Sequence, residues 1–368
     1  MNFGIARERR DLEERVGLTP YGVDLLTRAG HICYIETGAG LGAGFSDYHY
    51  ERVGGHVVYS GEEAYGRADI VLKAVRPTEE ELDWLRDGQI IAGFLHLAAA
   101  ARSKVETLLE KNITTIAYET IENEDGTLPV LRTMSEVAGR MAPQLAATYL
   151  ESSYQGRGVL LSGVPGIPPA SVGILGAGVL GMNAARAFLG LGARVFLLDR
   201  DQDKLRRVDE QFEGCATTMV SYPFNIARVA RFAEVLVGAI LEPGVRAPVI
   251  VTREMVSSMK KGAVILDFSI DQGGCVATSR PTTLRDPVFV EEGIVHFCVP
   301  NTPGAVPRTA THAFNNAIWP YVRRIAEVGL EQATQELPGL ARGIATQEGE
   351  IIDRSLAAAY YAGEGSEQ

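Results

Sequence analysis

Along the first third of the chain, short apolar, β-branched runs alternate with stretches in which apolar positions recur every three or four residues. The runs HICYIET (31–37), DIVLKAV (69–75), QIIAGFLH (89–96) and TTIAYET (114–120) predict strands. Between them, TPYGVDLLTRAG (19–30) and SKVETLLEKN (103–112) predict helices. A long amphipathic helix is predicted over 134–154, MSEVAGRMAPQLAATYLESSY, with Ser135 as its N-cap. QGRGVLLSGVPGIPPA (155–170), dense in Gly and Pro, reads as a domain boundary. A second alternating set follows in SVGILGAG, ARVFLLDRD, AEVLVGAIL, GAVILDFSID and IVHFCVPN. Beyond residue 305 the pattern is helical to a disordered tail, GEGSEQ. Strand and helix in alternation predict an α/β fold with parallel sheets.

A length of 368 residues exceeds one ordinary core and predicts two domains. The net charge of −11 leaves no basic surplus to neutralise phosphates, so no nucleic-acid partner is expected. The clusters RERR (7–10) and RR (206–207) read as solvated faces. No apolar run has the length of a membrane span, and MNFGIARERRDLEER turns charged too early for a secretory signal. Cys33, Cys215, Cys275 and Cys298 are widely spaced, which predicts reduced thiols, no zinc site and a cytoplasmic location.

The strongest local signal is VGILGAGVLGMNAARAFLGLGARVFLLDRD (172–201), in which a G-x-G-x-x-G turn leaves a strand and opens a helix. Gly176 permits the tight turn, Gly178 lets the backbone approach a pyrophosphate, and Gly181 allows close helix–strand packing. Free N–H groups at the helix start would hold the diphosphate. Asp199 ends the next strand, where an acid takes the adenosine ribose hydroxyls and repels a 2′-phosphate. NAD is therefore expected over NADP, although Arg200 follows directly.

His96 stands alone in the apolar run IIAGFLHLAAAARS (90–103), a pattern that by itself fits a core histidine with one satisfied nitrogen. Three other charged groups occupy positions where a strand end or helix start would expose them: Lys73 after DIVL, Asp271 after VILDFSI, and Arg15 in EERVGLTP. Each alone has a structural reading, as strand-end cation, turn cap or ion-pair partner. Together with His96 they make an amino-acid site, with Arg and Lys for a carboxylate and His and Asp for proton transfer.

Several blocks, in one order, then identify a family. They are ERVGLTPYGV (14–23), DIVLKAV, FLHLAAA (94–100), IAYETI (116–121), MSEVAGR (134–140), GVPGIPPA (163–170), GAGVLGMNAAR (176–186), LDFSIDQGG (266–274), SRPTT (279–283) and PGAVPRT (303–309). From about residue 3 to about residue 350 the sequence resembles the alanine dehydrogenase/pyridine nucleotide transhydrogenase family. The resemblance implies two Rossmann-like domains with the active site in the cleft between them. The expected division is a discontinuous substrate domain, 1–130 with 302–368, and an NAD-binding domain, 131–301, that includes the linking helix.

The implied activity is NAD-dependent, reversible oxidative deamination of L-alanine to pyruvate and ammonia, commonly by a homohexamer. Arg15 and Lys73 would bind the substrate carboxylate or carbonyl, and His96 and Asp271 would be the catalytic pair, with the general base open between them. Ser135, Val179, Leu180 and Asp199 would contact NAD, with Lys204, Ser221, Ile240 and Leu241 further along. Phe268, Ser269, Ile270 and Asp271, and Val299, Pro300, Asn301 and Thr302, would close over the nicotinamide. Three departures from the family pattern touch the substrate: Thr302 replaces the usual methionine, Arg76 the usual glutamate, and THAFNN (311–316) differs. They leave room for another small 2-oxo acid such as glyoxylate. A non-catalytic, transhydrogenase-like NAD module is the third reading, set against the retention of Arg15, Lys73, His96 and Asp271.

Overall fold

The computed structural model describes residues 1–241 and 246–362; the tail GEGSEQ lies outside the described residues. Two compact units emerge, one formed by Met1–Met134 together with the chain from Gly304 onward, the other by Ser135–Pro303.

The first unit holds an eight-stranded sheet. Its strands are β1 (Asn2–Ile5), β2 (Ile32–Glu36), β3 (His56–Val58), β4 (Ile70–Val75), β5 (Ile90–Phe94) and β6 (Thr114–Ala117), with β14 (Ile344–Gln347) and β15 (Glu350–Ile351) returning from the far end of the chain. The order is β15-β14-β6-β5-β4-β1-β2-β3, and β1 to β6 are parallel. β4 is buried at every position, as a central parallel strand covered on both faces must be. The helix Pro20–Arg28 begins as its sequence dictates, with Pro20 in the first turn and the Thr19 hydroxyl accepting the Gly22 N–H.

The second unit carries a seven-stranded sheet ordered β12-β13-β11-β10-β7-β8-β9. Its strands are β7 (Ser171–Leu175), β8 (Arg194–Asp199), β9 (Ala216–Val220), β10 (Val235–Gly238), β11 (Val264–Asp267), β12 (Val288–Glu291) and β13 (Ile294–Phe297). All pair in parallel except β12, an antiparallel edge. Val172, Ile174, Val195, Leu197, Val235 and Leu266 pack with Ala184 and Phe188 of the helix Val179–Gly190 into one core. The chain winds outward in both directions from β7. That reversal is a switch point, where α/β sheets open a crevice at the strands' carboxyl ends.

Four expectations change. The long helix runs Pro129–Leu150, so Ser135 is an interior residue and not the cap. Pro129 suits a first turn, and the Arg132 N–H already bonds the Leu128 carbonyl at 2.8 Å. The Gly/Pro-rich stretch 155–170 lies inside the second unit, tied by a Val164–Ile167 bridge and an Ala170–Leu161 hydrogen bond of 3.0 Å. The C-terminal region is not all helical. Glu348 and Gly349 take φ of 52° and 76°, the two positive values of a type I′ hairpin turn, and β14 and β15 extend the first sheet. Finally, RERR is no solvated face, because Glu8 is buried.

Candidate active site

The glycine-rich turn is built around three different steric needs. Gly176 takes φ of 108°, and a Cβ there would meet the Ala239 carbonyl oxygen at 2.5 Å. A Cβ on Gly181 would lie 1.8 Å from the Gly176 oxygen, so only hydrogen lets the helix sit on the turn. Gly178 is the reverse case: nothing stands within 4 Å of its absent Cβ. Gly178 caps the helix without a side-chain hydrogen bond, so the amides of Val179, Leu180 and Gly181 face the position an anion would take. Open space over bare amides fits a dinucleotide diphosphate. Asp199, at the end of β8, is buried, and its carboxylate accepts the Ala177 N–H (2.7 Å) and the Asp201 N–H (2.9 Å). It thus fixes the glycine turn.

The remaining cofactor candidates gather along the same carboxyl edge of the second sheet. The Ser221 N–H bonds the Asp199 carbonyl at 3.0 Å. The Ser269 hydroxyl accepts the Ile240 N–H at 3.0 Å, and Asp271 Oδ1 accepts the Asn301 N–H at 3.0 Å. These bonds join the segments 240–241, 268–271 and 299–302. Leu241 is exposed, Phe268 and Pro300 are half-buried, and Ser269, Ile270 and Val299 point inward. Thr302 is buried, with its hydroxyl donating to the Val299 carbonyl at 2.8 Å. Lys204 sits half-buried in the helix Gln202–Phe212. Ser135 is half-buried one turn before Gly139, whose absent Cβ would touch the Leu180 oxygen at 2.5 Å. That close approach brings the long helix against the start of the glycine-rich one.

Asp271 lies in a 3₁₀ turn, Phe268–Gln272, capped by Asp267 and not by itself. Asp267 is buried and accepts the N–H groups of Ser269 (3.1 Å) and Cys275 (3.0 Å). Burial raises its carboxyl above the ordinary range, although hydrogen bonds from Ser279 and Cys275 oppose this. Asp271 itself is exposed. Cys298 offers no nucleophile next to this edge, since burial pushes its thiol up to about 12.

In the first unit, Lys73 lies within β4, two residues short of its end, and its side chain is fully buried. The ammonium pairs with Glu8 at 2.9 Å and with Glu81, whose carboxylate also accepts the Tyr65 hydroxyl at 3.3 Å. Burial alone would favour the neutral amine, but Glu8, Tyr65 and Glu81 outweigh it and hold Lys73 protonated, well above its usual range. Burial lifts the Glu8 carboxyl in spite of Lys73. Glu81 also feels burial, yet Lys73 and the Thr78 hydrogen bonds bring it below its ordinary value. Arg15 is equally buried. Glu13 takes its Nε and Nη2, each at 2.7 Å, and Nη1 faces the Met134 sulfur at 3.4 Å. A guanidinium has five N–H donors, more than these contacts consume. Gly17 lets this segment lie on β4, because a Cβ there would be 2.0 Å from the Leu72 oxygen.

His96 is not a core residue. β5 ends at Phe94, and the imidazole beyond it is 52% exposed. β4 and β5 are neighbours, so Lys73 and His96 share one end of one sheet. Ala98 and Ala99 after it are exposed and small. The carboxylates that organise this unit escape a sequence reading. Glu8, Glu13 and Glu81 sit in charged runs that look solvated, and Glu119 carries no local pattern. Glu8 and Glu13 lie just before the block ERVGLTPYGV and Glu119 lies within IAYETI, whereas Glu81 stands in no such block. No group of three or more His, Cys, Asp or Glu among the described residues could hold a metal.

Known proteins resemble the chain over nearly its whole length. The family model "Alanine dehydrogenase/PNT, N-terminal domain" matches residues 4–138, and "Alanine dehydrogenase/PNT, C-terminal domain" matches 142–354. The chain is 43% identical to an alanine dehydrogenase of Methanococcus maripaludis, over 98% of this chain and 96% of that one. It is 44% identical to that of Geobacillus stearothermophilus, again over 98% and 96%. A solved L-alanine dehydrogenase superposes with a TM-score of 0.94 at 41% identity, covering 98% of this chain and 99% of the other. A transhydrogenase from Sinorhizobium meliloti shares the fold, with a TM-score of 0.80 at 23% identity over 96% of this chain and 100% of that one. The chain belongs to the alanine dehydrogenase/PNT family.

Proposed function

We propose that this protein oxidises L-alanine with NAD and water to pyruvate, ammonia and NADH, reversibly, with cofactor residues in the second unit and substrate residues in the first. The observation that carries the reading is the solvent-facing imidazole of His96, at the carboxyl end of the strand beside the one bearing Lys73. NAD, when bound, supplies the acceptor for the hydride leaving Cα. The amides of Val179, Leu180 and Gly181 would hold its diphosphate and Asp199 its adenosine ribose, while 240–241, 268–271 and 299–302 would line the nicotinamide half.

Arg15 and Lys73 grip the carboxylate and the developing carbonyl. Lys73 acts as a donor throughout, because Glu8 and Glu81 keep it protonated. His96 takes the proton that frees the amine lone pair before hydride departure and passes it to solvent. The neutral imidazole then takes one from the water that attacks the iminium carbon and hands it to the amine nitrogen. The tetrahedral adduct expels ammonia, which carries off the hydroxyl proton as the carbonyl forms. Asp271 orients that water or shares the role of base.

The same proposal gives the protein a cytoplasmic location, to which its four free cysteines are suited, and a homohexameric assembly. Light scattering coupled to size exclusion checks the assembly, and a monomer at micromolar concentration would refute it. The test of function is the initial rate of NAD reduction across a panel of small L-amino acids. Alanine is expected to be fastest; a faster rate with glycine would move the substrate to glyoxylate.

A further inference from the structure

His96 has φ of 43° and ψ of 48°, in the left-handed region that a residue with a side chain enters only when its surroundings hold it there. Two ionic groups do the holding. Glu119, in the turn after β6, accepts the Leu95 N–H with one carboxylate oxygen (3.1 Å) and the His96 N–H with the other. Arg76, just beyond β4, donates from Nη1 to the His96 carbonyl at 2.8 Å, and Arg10 donates to the Arg76 carbonyl at 3.2 Å. The Glu119 side chain is only 10% exposed. Its nearer oxygen is 3.9 Å from the His96 Nδ1, beyond hydrogen-bond reach, so its grip is on the backbone and not on the ring. Phe94 lies parallel to the imidazole, 6.5 Å away at 17°.

We propose that Glu119 is the positioning residue for His96: by bridging two successive amides it fixes the left-handed turn that aims the imidazole, and Arg76 completes the clamp from the carbonyl side. The proposal rests on the reading of His96 as the proton-transfer group. Without the carboxylate, two amides lose their acceptor and His96 relaxes to an ordinary negative φ, which swings the ring away. Substrate and cofactor contacts elsewhere are untouched.

A double-mutant cycle tests this. Alanine oxidation is measured for wild type, Glu119→Ala, His96→Ala and the double variant, with KM for alanine, NADH affinity and melting temperature read alongside. Glu119→Ala is expected to lower kcat on the order of 10²-fold, as small misplacements of a catalytic group do, with KM and NADH affinity within about twofold. In the His96→Ala background the same change should move kcat by less than about twofold, since the residue it acts through is gone. Glu119→Asp, with both oxygens one methylene shorter, should recover part of the rate. An equal loss in both backgrounds, or no loss in either, overturns the proposal. Full activity in His96→Ala alone instead overturns the reading of His96, and the proposal with it. If Glu119→Ala does not fold, Glu119→Gln, of equal size with one acceptor oxygen, serves in the same cycle.

Discussion

The two units are built on one plan and solve opposite problems. Each is a largely parallel sheet that winds outward in both directions from an inner strand, β1 in the first and β7 in the second. Beside its strand ends the first unit buries whole charges: Lys73 against Glu8 and Glu81, and Arg15 against Glu13. At the end of β7 the second offers almost no side chain. Its Gly176, Gly178 and Gly181 leave bare amides, and its one buried acid at the turn, Asp199, serves the backbone. The difference follows from the ligands. A diphosphate can be held by dipoles and N–H groups, which need small residues and close approach. A carboxylate held beside a centre of proton transfer needs ionic donors of fixed charge, and buried ions persist only in hydrogen-bonded pairs.

The comparison breaks most readily at Lys73. Lys73→Ala leaves Glu8 and Glu81 buried without their cation, so it should lower stability by about 3–5 kcal/mol and abolish pyruvate reduction. Damage of this kind stays in the first unit. A fluorescence titration is expected to show NADH bound with near-normal affinity, and a parallel loss of NADH binding would show that the two functions are not divided as described.

Two glycines sharpen the picture of the second unit. Gly181→Ala forces a methyl to within 1.8 Å of a carbonyl oxygen and should cost about 3 kcal/mol. Gly178→Ala meets nothing in the protein, so its melting point should hold while NADH affinity falls about tenfold, or ~1.4 kcal/mol. Equal affinity in Gly178→Ala would remove the diphosphate from that position.

Asp199→Ala should weaken NAD and narrow its preference over NADP, read as the ratio of kcat/KM values. Equal rates with both cofactors in the wild type would point to Arg200 as a phosphate binder.

The smallest effect separates the units by pH. His296, on β13, is buried between Thr278 Oγ1 (2.7 Å) and the Ile294 carbonyl (2.9 Å). Burial lowers its pKa, outweighing that backbone hydrogen bond and nearby acids. The unfolded chain therefore takes up a proton near pH 6.5 that the folded one declines, and stability falls as pH drops from 7 toward 5. The slope reaches at most about 1.4 kcal/mol per pH unit. His296→Gln should flatten that part of the melting curve; an unchanged slope would assign it elsewhere.

What the sequence revealed and what it hid divide along the same line. The glycine turn, the β7 and β8 strands and Asp199 were legible because their chemistry is local and the spacing between them is set by one strand and one helix. Lys73, His96 and Asp271 could be selected as chemical groups, but their surroundings could not. Glu8 reaches Lys73 only after β1 has paired with β4, and Glu119 reaches the amide of His96 only after β5 has paired with β6. His96 looked like the end of a buried strand because its neighbours are apolar, yet those neighbours belong to the core and the imidazole does not. Ser135 looked like a helix start because the signal of Pro129 lies outside the amphipathic window. The Glu348–Gly349 turn was missed for a related reason, since a two-residue strand offers no periodicity.

The central claim is that His96 moves the proton and does not support the fold. It is tested most directly by the rate of alanine oxidation in His96→Ala, measured on the same preparation as its melting temperature and NADH affinity. With half of the imidazole in solvent, its removal opens no cavity, so the melting temperature and NADH affinity should stay at wild-type values while the rate falls about 10²–10⁴-fold. A variant that turns over alanine normally, whatever its melting temperature, would contradict the account.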